Sequence, residues 1–383
     1  MRTHTIRALC AVAAGAATLP LGLIGTPGAA ASPACRTHPV IDYVVNQASG
    51  TVTPIRTATN TALKAIKVGK APLAIAITPN GKTAYVANGL SNTVTPIFTT
   101  TRTAGKPIPA GEGPEVIAIT PNGRTAYAVN VGPDTVTPIF TATNTAGKPI
   151  PVGSFPWDIA ITPNSRTAYV ANAGSGTVTP ISTATNRAGK PIHIGLNASA
   201  IAITPNGRTA YVLDGVSSTV TPISTATNRA GKPIKIPFSS SISPGSVPGQ
   251  TLIVSTPNGK TVYVASQSAG TVTPISTATN TAGKPIRVGK DPFALAITPN
   301  GKVVEVVNQL SGTVTPIFTA TNRAGKAIRV GSTPWAIAIT PNGKTAYVVN
   351  NGSGTVTPIS IRIEKAGKPI SVGSRPVAIA ITR

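Results

Sequence analysis

Short runs of alternating apolar and polar residues follow one another along the chain, and none repeats with the 3.6-residue period of a helix. Turn signals such as Asn122-Gly123 separate these runs. Within one unit, the pattern predicts four short strands: Asp158–Thr162, Thr167–Ala171, Thr177–Ser182 and Lys190–Gly195. The chain is therefore predicted to be all-β.

This unit of four strands is repeated. The phrase Thr-Val-Thr-Pro-Ile begins at Thr51, Thr93, Thr135, Thr177, Thr219, Thr271, Thr313 and Thr355. The spacing is 42 residues, apart from one step of 52 residues whose additional segment, Ser239–Gly249, is predicted to form a loop or lid. A repeat of this length is typical of a β-propeller blade, which buries its apolar faces only against neighbouring blades.

The two ends of the repeat region complement each other. The chain enters at a second strand, Tyr43–Asn46, and stops just after a first strand, Ala378–Thr382. We therefore predict an all-β propeller of eight four-stranded blades, closed by N- and C-terminal strands that share one blade. Seven blades or an open array are the alternatives. Pairs such as Lys190-Pro191 place the fourth strand at the outer edge, because proline cannot donate to a ladder.

Several second strands carry a Tyr-Val-x-Asn motif, as in Tyr85–Asn88, Tyr169–Asn172 and Tyr347–Asn350. With the adjoining Ile-Thr-Pro-Asn-Gly and Thr-Ala-Thr-Asn segments, these strands resemble the YVTN family of β-propeller repeats over residues 42–383. The resemblance implies an exported or periplasmic propeller, and related propellers include lactonases and lyases, so the fold alone leaves function open.

Glu305 departs from the pattern, since the other seven blades have Tyr there, and we expect it to pair with a base or reach solvent.

Residues 1–31 are predicted to be a secretory signal peptide, followed by a short tail (32–41) and one propeller domain (42–383). Arg2 and Arg7 flank the start of an apolar segment, and Ala29–Ala31 fits a cleavage site. We expect a secreted or cell-envelope monomer with no transmembrane segment after cleavage; an uncleaved anchor or a lipid on Cys35 is the alternative. Cleavage leaves Cys35 alone, so no disulfide is expected within the mature chain.

Basic residues outnumber acidic ones, 33 against 9, and without Arg2 and Arg7 the mature charge is 31 − 9 = +22. In a four-stranded meander, the turns after strands one and three share a face, to which we assign eight lysines beside the third turn, such as Lys64, and the basic residues of the first turn. Those of the first turn are Lys82, Arg124, Arg166, Arg208, Lys260, Lys302 and Lys344. We expect this face to bind an anionic polymer through phosphates, without sequence-specific recognition of nucleic acid. The alternative is that these residues only keep tight turns soluble.

The turns after strands two and four lie on the opposite face, where the copies differ most. Trp157 and Trp335, the only tryptophans, stand four blades apart at the entrance to the first strand. Glu115 and Phe293 occupy the same position in two other blades and form a second opposed pair. We expect these residues and Asp158 to line the mouth of the central channel and to bind a small molecule, a glycan or a peptide. Structural packing of the blade tops is the alternative.

Residues suited to catalysis are scarce. Outside the signal peptide the chain has only His38 and His193, and it lacks metal-ligand, nucleophile-elbow and phosphate-loop motifs. We therefore expect no cofactor, no metal and no enzymatic activity, and we predict a secreted binding or structural module of the cell envelope, with an envelope polymer or a protein as partner. The alternative is an enzyme of lactonase or lyase type that uses Glu115 and Asp158 at the mouth.

Overall fold

The computed structural model describes residues 40–237 and 252–382, all within one compact unit, Pro39–Arg383. The other unit, Met1–His38, lies outside the described residues, and so do the predicted signal peptide and the predicted loop Ser239–Gly249. Within the described ranges, no helix has the length and apolar character needed to cross a bilayer.

The described residues form eight antiparallel sheets arranged as the blades of a β-propeller, as predicted. Blade 1 contains both ends of the described chain, and blades 2 to 8 follow in chain order. The first strands, nearest the axis, are Pro376–Ile381, Pro72–Ile77, Pro114–Ile119, Pro156–Ile161, Ala198–Ile203, Ile253–Ser255, Pro292–Ile297 and Pro334–Ile339. The second strands are Ile41–Asn46, Thr83–Asn88, Thr125–Asn130, Thr167–Asn172, Thr209–Asp214, Thr261–Ser266, Val303–Asn308 and Thr345–Asn350. The third strands are Thr51–Arg56, Thr93–Phe98, Thr135–Phe140, Thr177–Ser182, Thr219–Ser224, Thr271–Ser276, Thr313–Phe318 and Thr355–Ser360.

The fourth, outermost strand differs from the prediction, because it is interrupted in every blade. Its two short pieces both pair with the third strand, and they are Thr61–Ala62 with Ile66–Lys67, Thr103–Ala104 with Ile108–Pro109, Thr145–Ala146 with Ile150–Pro151, Arg187–Ala188 with Ile192–His193, Arg229–Ala230 with Ile234–Lys235, Thr281–Ala282 with Ile286–Arg287, Arg323–Ala324 with Ile328–Arg329, and Lys365–Ala366 with Ile370–Ser371. In blade 4 the break contains Lys190 and Pro191 and lies opposite Pro180 of the third strand. Neither proline has an N–H to donate, so the ladder cannot continue through this point.

The C-terminal strand closes the ring as predicted. Val44 of the second strand of blade 1 pairs with Ile379 of the C-terminal strand. At the strand end, Ile41 N donates to Thr382 Oγ1 at 2.9 Å, and Thr382 N donates to Ile41 O at 3.0 Å. One sheet therefore contains residues from both ends of the domain, and the strand Ile41–Asn46 is paired on both sides. Outside the strands, the described chain has a short 3-10 helix at Gly89–Ser91.

The tyrosine of each second strand joins its blade to the next. In six interfaces its buried hydroxyl donates at 2.6 Å to an asparagine Oδ1 in the turn after the third strand of the following blade. These pairs are Tyr85–Asn144, Tyr127–Asn186, Tyr169–Asn228, Tyr211–Asn280, Tyr263–Asn322 and Tyr347–Asn60. We call each pair a latch. Burial raises the pKa of Tyr85 to about 12, so its hydroxyl remains a donor at neutral pH.

The asparagine that ends six of the eight second strands holds the opposite end of the blade. In blade 2, Asn88 Nδ2 donates to Thr93 Oγ1 at 3.2 Å and to Thr95 Oγ1 at 2.9 Å, while Asn88 Oδ1 accepts from Gly69 N at 3.1 Å. Blade 6 has Ser266 at this position, and a serine hydroxyl is too short to make the same contacts. The Tyr-Val-x-Asn motif is thus explained by two hydrogen-bonding side chains at opposite ends of one strand.

Candidate functional site

Hydrogen bonds between turns divide them between two faces of the ring. Thr99 N, in the turn after a third strand, donates to Lys82 O in the turn after a first strand at 3.0 Å. Gly89 N, after a second strand, donates at 2.9 Å to Ala71 O, in the connection that follows a fourth strand. We call the first set of turns the basic face and the second set the mouth face. This is the division of turns that the sequence predicted.

The turns of the basic face repeat one arrangement. In blade 2, Asn80 Oδ1 accepts from Thr78 Oγ1 at 2.7 Å and from Lys82 N at 3.0 Å, and Gly81 has a φ of +69°. These bonds fix the turn and leave the basic side chain free. All seven predicted side chains are exposed: Lys82, Arg124, Arg166, Arg208, Lys260, Lys302 and Lys344.

The lysines of the fourth strand lie at the outer edge of the ring. Lys64 and its equivalents fall in the break of the outermost strand, between its two short pieces. Lys64 also lines a surface cavity with Thr101 and Arg102, in the turn after the third strand of blade 2. The assignment of these lysines to the basic face therefore stays a prediction.

The variable position at the mouth is the bulged residue of the first strand. In blade 4, Pro156 pairs with Asn172 and Asp158 with Ala171, so Trp157 has no residue opposite it. The same register shift leaves six other residues unpaired, which are Leu73, Glu115, Ser199, Phe293, Trp335 and Val377. A bulged residue is free of the ladder, so its identity can change without loss of strand pairing.

The two tryptophans have different surroundings. Trp335 packs against Phe293 of the preceding blade, with ring centroids 4.7 Å apart and an interplanar angle of 57°. Phe293 is only 1% exposed, so its ring offers almost no surface to a ligand, and its place in a binding site remains a prediction. Trp157 is partly buried, and the preceding blade places Glu115 where Trp335 has Phe293. Of the two, Trp157 is therefore the better candidate for a ligand contact.

The carboxyl of Asp158 connects two blades. Its Oδ1 accepts from Ile159 N at 2.8 Å, and its Oδ2 accepts from Ile201 N, in the first strand of blade 5, at 2.9 Å. Burial raises the pKa of Asp158 to about 7, although the two backbone hydrogen bonds lower it. Burial also raises the pKa of Glu115. Both oxygens of Asp158 are thus occupied by backbone donors, which favours a structural role for this residue.

A cavity of about 570 Å³ opens on the mouth face between blades 1 and 2. Its lining includes Lys67, Lys70, Leu90 and Arg375, and it contains none of the residues predicted to line the mouth. In the part of the chain that the structure describes, no three His, Cys, Asp or Glu residues form a group able to hold a metal ion.

Glu305 occupies the tyrosine position of a latch, and Glu364 of blade 8 occupies the asparagine position. Glu305 is 1% exposed and its Oε2 has no hydrogen-bond partner. Burial, and then the charge of Glu364, raise the pKa of Glu305 to about 7. The prediction that Glu305 pairs with a base or reaches solvent is wrong, because the blades enclose it and the charge that acts on it is another carboxylate.

Glu305 and Glu364 occupy the two positions of a latch without forming its hydrogen bond. Glu305 Oε2 has no hydrogen-bond partner, so the two acids are related by position and by charge. A protonated Glu305 carries a donor hydrogen, as the tyrosine hydroxyl does. The interface between blades 7 and 8 therefore has, in place of a latch, a buried acid whose protonation depends on pH.

Residues 233–376 match the family model described as the YNCE-like beta-propeller. The match covers part of the repeat region, and together with the eight-bladed fold it supports a YncE-like propeller. No curated protein matches this propeller.

Several solved structures share the propeller fold of this chain. Hydrazine Synthase of Kuenenia stuttgartiensis is 24% identical, with a TM-score of 0.62, over 76% of this chain and 95% of that chain. Dihydro-heme d1 dehydrogenase NirN in complex with DHE is 12% identical, with a TM-score of 0.72, over 89% and 74%. AztD of Citrobacter koseri is 12% identical, with a TM-score of 0.64, over 90% and 98%. At these identities the likeness concerns the fold alone.

Sequence reasoning missed three features of this propeller. The placement of Glu305 and Glu364 at the two positions of a latch could have been found by aligning the copies, since both residues break the consensus and lie 59 positions apart, the separation of Tyr85 and Asn144. The bulge at Trp157 had a weaker signal, namely high variability directly after a nearly constant proline. The packing of Phe293 on Trp335 had no signal in the sequence.

Proposed function

We propose that this propeller is a secreted or cell-envelope binding module without enzymatic activity, and that its basic face binds an anionic polymer. The observation that carries the proposal is the ring of seven exposed Lys and Arg side chains at one position of the first turn. Their backbone is fixed by the asparagine of the same turn, so a polymer would meet cations at regular intervals. A mature charge of 31 − 9 = +22 favours such a partner.

Binding of this kind would depend on phosphates or sulfates rather than on sequence. Each neutralised polymer charge releases a condensed counterion, so affinity should fall steeply as salt increases. Teichoic acid, anionic lipid and nucleic acid backbones share this chemistry, and heparin is a practical substitute for all three. The mouth face provides a second proposed site, for a small molecule, glycan or peptide, centred on Trp157.

Catalysis is the less favoured candidate. Asp158 accepts backbone hydrogen bonds with both oxygens, so it has little freedom to act as an acid or a base. Glu115 alone would have to provide acid–base chemistry at the mouth. We therefore propose a lactonase or lyase function only as the alternative, to be detected as turnover that Glu115→Gln abolishes.

The proposal is tested by heparin chromatography of two variants with equal changes of charge. Lys82→Glu, Arg124→Glu, Arg166→Glu and Arg208→Glu alter the basic face. Their matched control alters four exposed cations of the mouth face: Lys70→Glu, Arg287→Glu, Lys290→Glu and Arg329→Glu. We expect the first variant to elute at much lower salt than the control, because both have the same net charge and only the face differs. Equal elution of the two variants would reject a specific role for the basic face.

A further inference from the structure

The charges of the mouth face are segregated. Between residues 112 and 214, every Lys and Arg lies in a turn of the basic face or at the perimeter, and the mouth face carries only acids. These acids are Glu112, Glu115, Asp134, Asp158 and Asp214. The remaining described part of this face carries seven cations and one buried acid, Asp291. The cations are Lys67, Lys70, Lys235, Arg287, Lys290, Arg329 and Arg375.

The acids at blades 3 and 4 adjoin exposed apolar side chains. Phe155 is 58% exposed and Leu196 is 68% exposed. Asp134 Oδ1 accepts from Phe155 N at 2.8 Å, which places this carboxylate beside the ring. Glu112 is exposed, and its side chain lies beside Gly132, which is in the same turn as Asp134. A Cβ atom added to Gly132 would be 3.6 Å from Glu112 Cγ. We call Glu112, Glu115, Asp134, Phe155, Trp157 and Leu196 the acidic sector.

The acidic sector has the composition of an interaction surface. Exposed apolar side chains grouped together and bordered by charge are typical of binding sites, whereas scattered ones need no explanation. Phe155 has a φ of +49°, and the equivalent Ala71, Thr333 and Arg375 also have a positive φ. This backbone conformation is therefore common to the repeat, and what distinguishes blade 4 is the large exposed ring.

We propose that the acidic sector binds a cationic, amphipathic polypeptide segment of a partner protein. This inference rests on the proposed function of the mouth face as a ligand site, and it adds the class of ligand. The partner's Lys or Arg side chains would meet Glu112, Glu115 and Asp134, and its apolar side chains would cover Phe155, Trp157 and Leu196. An anionic ligand would instead favour the opposite half of the same face.

The strong positive charge of the whole chain does not prevent a cationic segment from binding to the acidic sector. A strand of six residues spans about 20 Å, so the basic face lies at about that distance from the mouth face. The Debye length at physiological ionic strength is about 8 Å, so the field of the basic face is largely screened at the acidic sector. Local attraction therefore decides which ligand binds there.

The test uses the mature chain and three labelled synthetic peptides of equal length, with binding followed by fluorescence anisotropy at physiological ionic strength. One peptide is amphipathic and made of Leu and Lys, the second replaces Leu by Ser, and the third replaces Lys by Glu. The acid variant combines Glu112→Gln, Glu115→Gln and Asp134→Asn, which nearly preserve shape. Its matched control combines Lys70→Gln, Lys290→Gln and Arg375→Gln, in the opposite half of the mouth face.

We expect the Leu–Lys peptide to bind more tightly than either of the others. The acid variant should weaken it roughly tenfold, since each exposed ion pair contributes a factor of about two. Phe155→Asn should weaken the Leu–Lys peptide but not the Ser–Lys peptide, because asparagine tolerates the positive φ and removes only the apolar contact. The control should bind the Leu–Lys peptide at least as well as the unaltered chain.

Three results would overturn the inference: equal affinity of the acid variant, tighter binding of the Leu–Glu peptide, or no binding of any peptide. If the Leu–Glu peptide binds and Trp157→Ala weakens it, the mouth remains a binding site and only the cationic class is rejected. Heparin retention is measured separately, so the proposal for the basic face stands or falls on its own.

Discussion

The two faces of the ring are built from the same repeat, yet one is nearly uniform and the other differs from blade to blade. On the basic face, the residues of each first turn bond to one another and to the adjoining third turn, as Thr99 N does to Lys82 O. On the mouth face, the residue that varies most is a bulge with no partner opposite, as at Trp157. Sequence is constrained where hydrogen bonds recur and is free where a bulge removes a residue from the ladder.

This difference suggests how a repeat can serve two purposes. The uniform face presents a Lys or an Arg at the same position of seven first turns, which suits a polymer that is itself repetitive. The variable face gathers its acids on one side, beside the exposed side chains of Phe155 and Leu196, which suits a ligand of defined shape.

Loss of the closing strand should have the largest effect. Deleting Pro376–Arg383 removes the inner strand of blade 1, including Ile379 and Ile381, and exposes the edge of Ile41–Asn46. We expect a loss of more than about 5 kcal/mol in the free energy of unfolding, since each large apolar deletion costs about 2–5 kcal/mol. Urea unfolding measures it, with deletion of Arg383 alone as the control. A truncated chain that melts within a few degrees of the control would contradict closure.

Trp335 and Trp157 occupy equivalent positions, but their replacement by alanine should lower the free energy of unfolding by different amounts. Trp335→Ala removes packing against buried Phe293 and against the core between blades 1 and 2, and should cost about 3 kcal/mol. Trp157→Ala lacks the aromatic partner and should cost clearly less. Thermal melting of the two variants makes the comparison. A greater loss at Trp157 would mean that Trp157 is the core residue and Trp335 the freer one.

The buried carboxyl of Glu305 should make the stability of the fold depend on pH. The pKa of Glu305 is about 4.5 in the unfolded chain and about 7 in the folded one, so the folded state binds more protons between these values. The stabilisation is complete below about pH 4.5 and is lost as the pH rises through about 7. Glu305→Gln stays neutral, so its stability relative to the unaltered chain should rise by up to about 3 kcal/mol between pH 5 and pH 8.

Two further variants sharpen this measurement. Glu305→Tyr combined with Glu364→Asn restores the arrangement of the six latches and should remove the same pH dependence. Tyr263→Phe, which deletes the donor of the neighbouring latch, should lower stability equally at both pH values. Urea unfolding of all variants at pH 5 and pH 8 is the test, and parallel pH profiles for Glu305→Gln and the unaltered chain would contradict the account.

The sequence predicted the blade count and the closure because both follow from repetition and from incomplete ends. The sorting of turns onto two faces followed from the alternation of an antiparallel meander. The interrupted outer strand was missed because the proline common to all eight third strands, such as Pro180, was not weighed as a break in the ladder; the break also occurs at Ala65 and Ala327, where the fourth strand has no proline. The burial of Glu305 and the contact of Phe293 with Trp335 depend on packing between blades, which periodicity along one chain does not reveal.

The central claim is that the basic face, and not the mouth face, receives an anionic polymer. Hydrogen exchange measured by mass spectrometry, with and without a heparin oligosaccharide, tests it most directly, because it locates the contact along the chain. We expect slower exchange in the first turns that contain Lys82, Arg124, Arg166 and Arg208, and unchanged exchange around Trp157 and Glu112. Protection at the mouth face without protection of the first turns would contradict the claim.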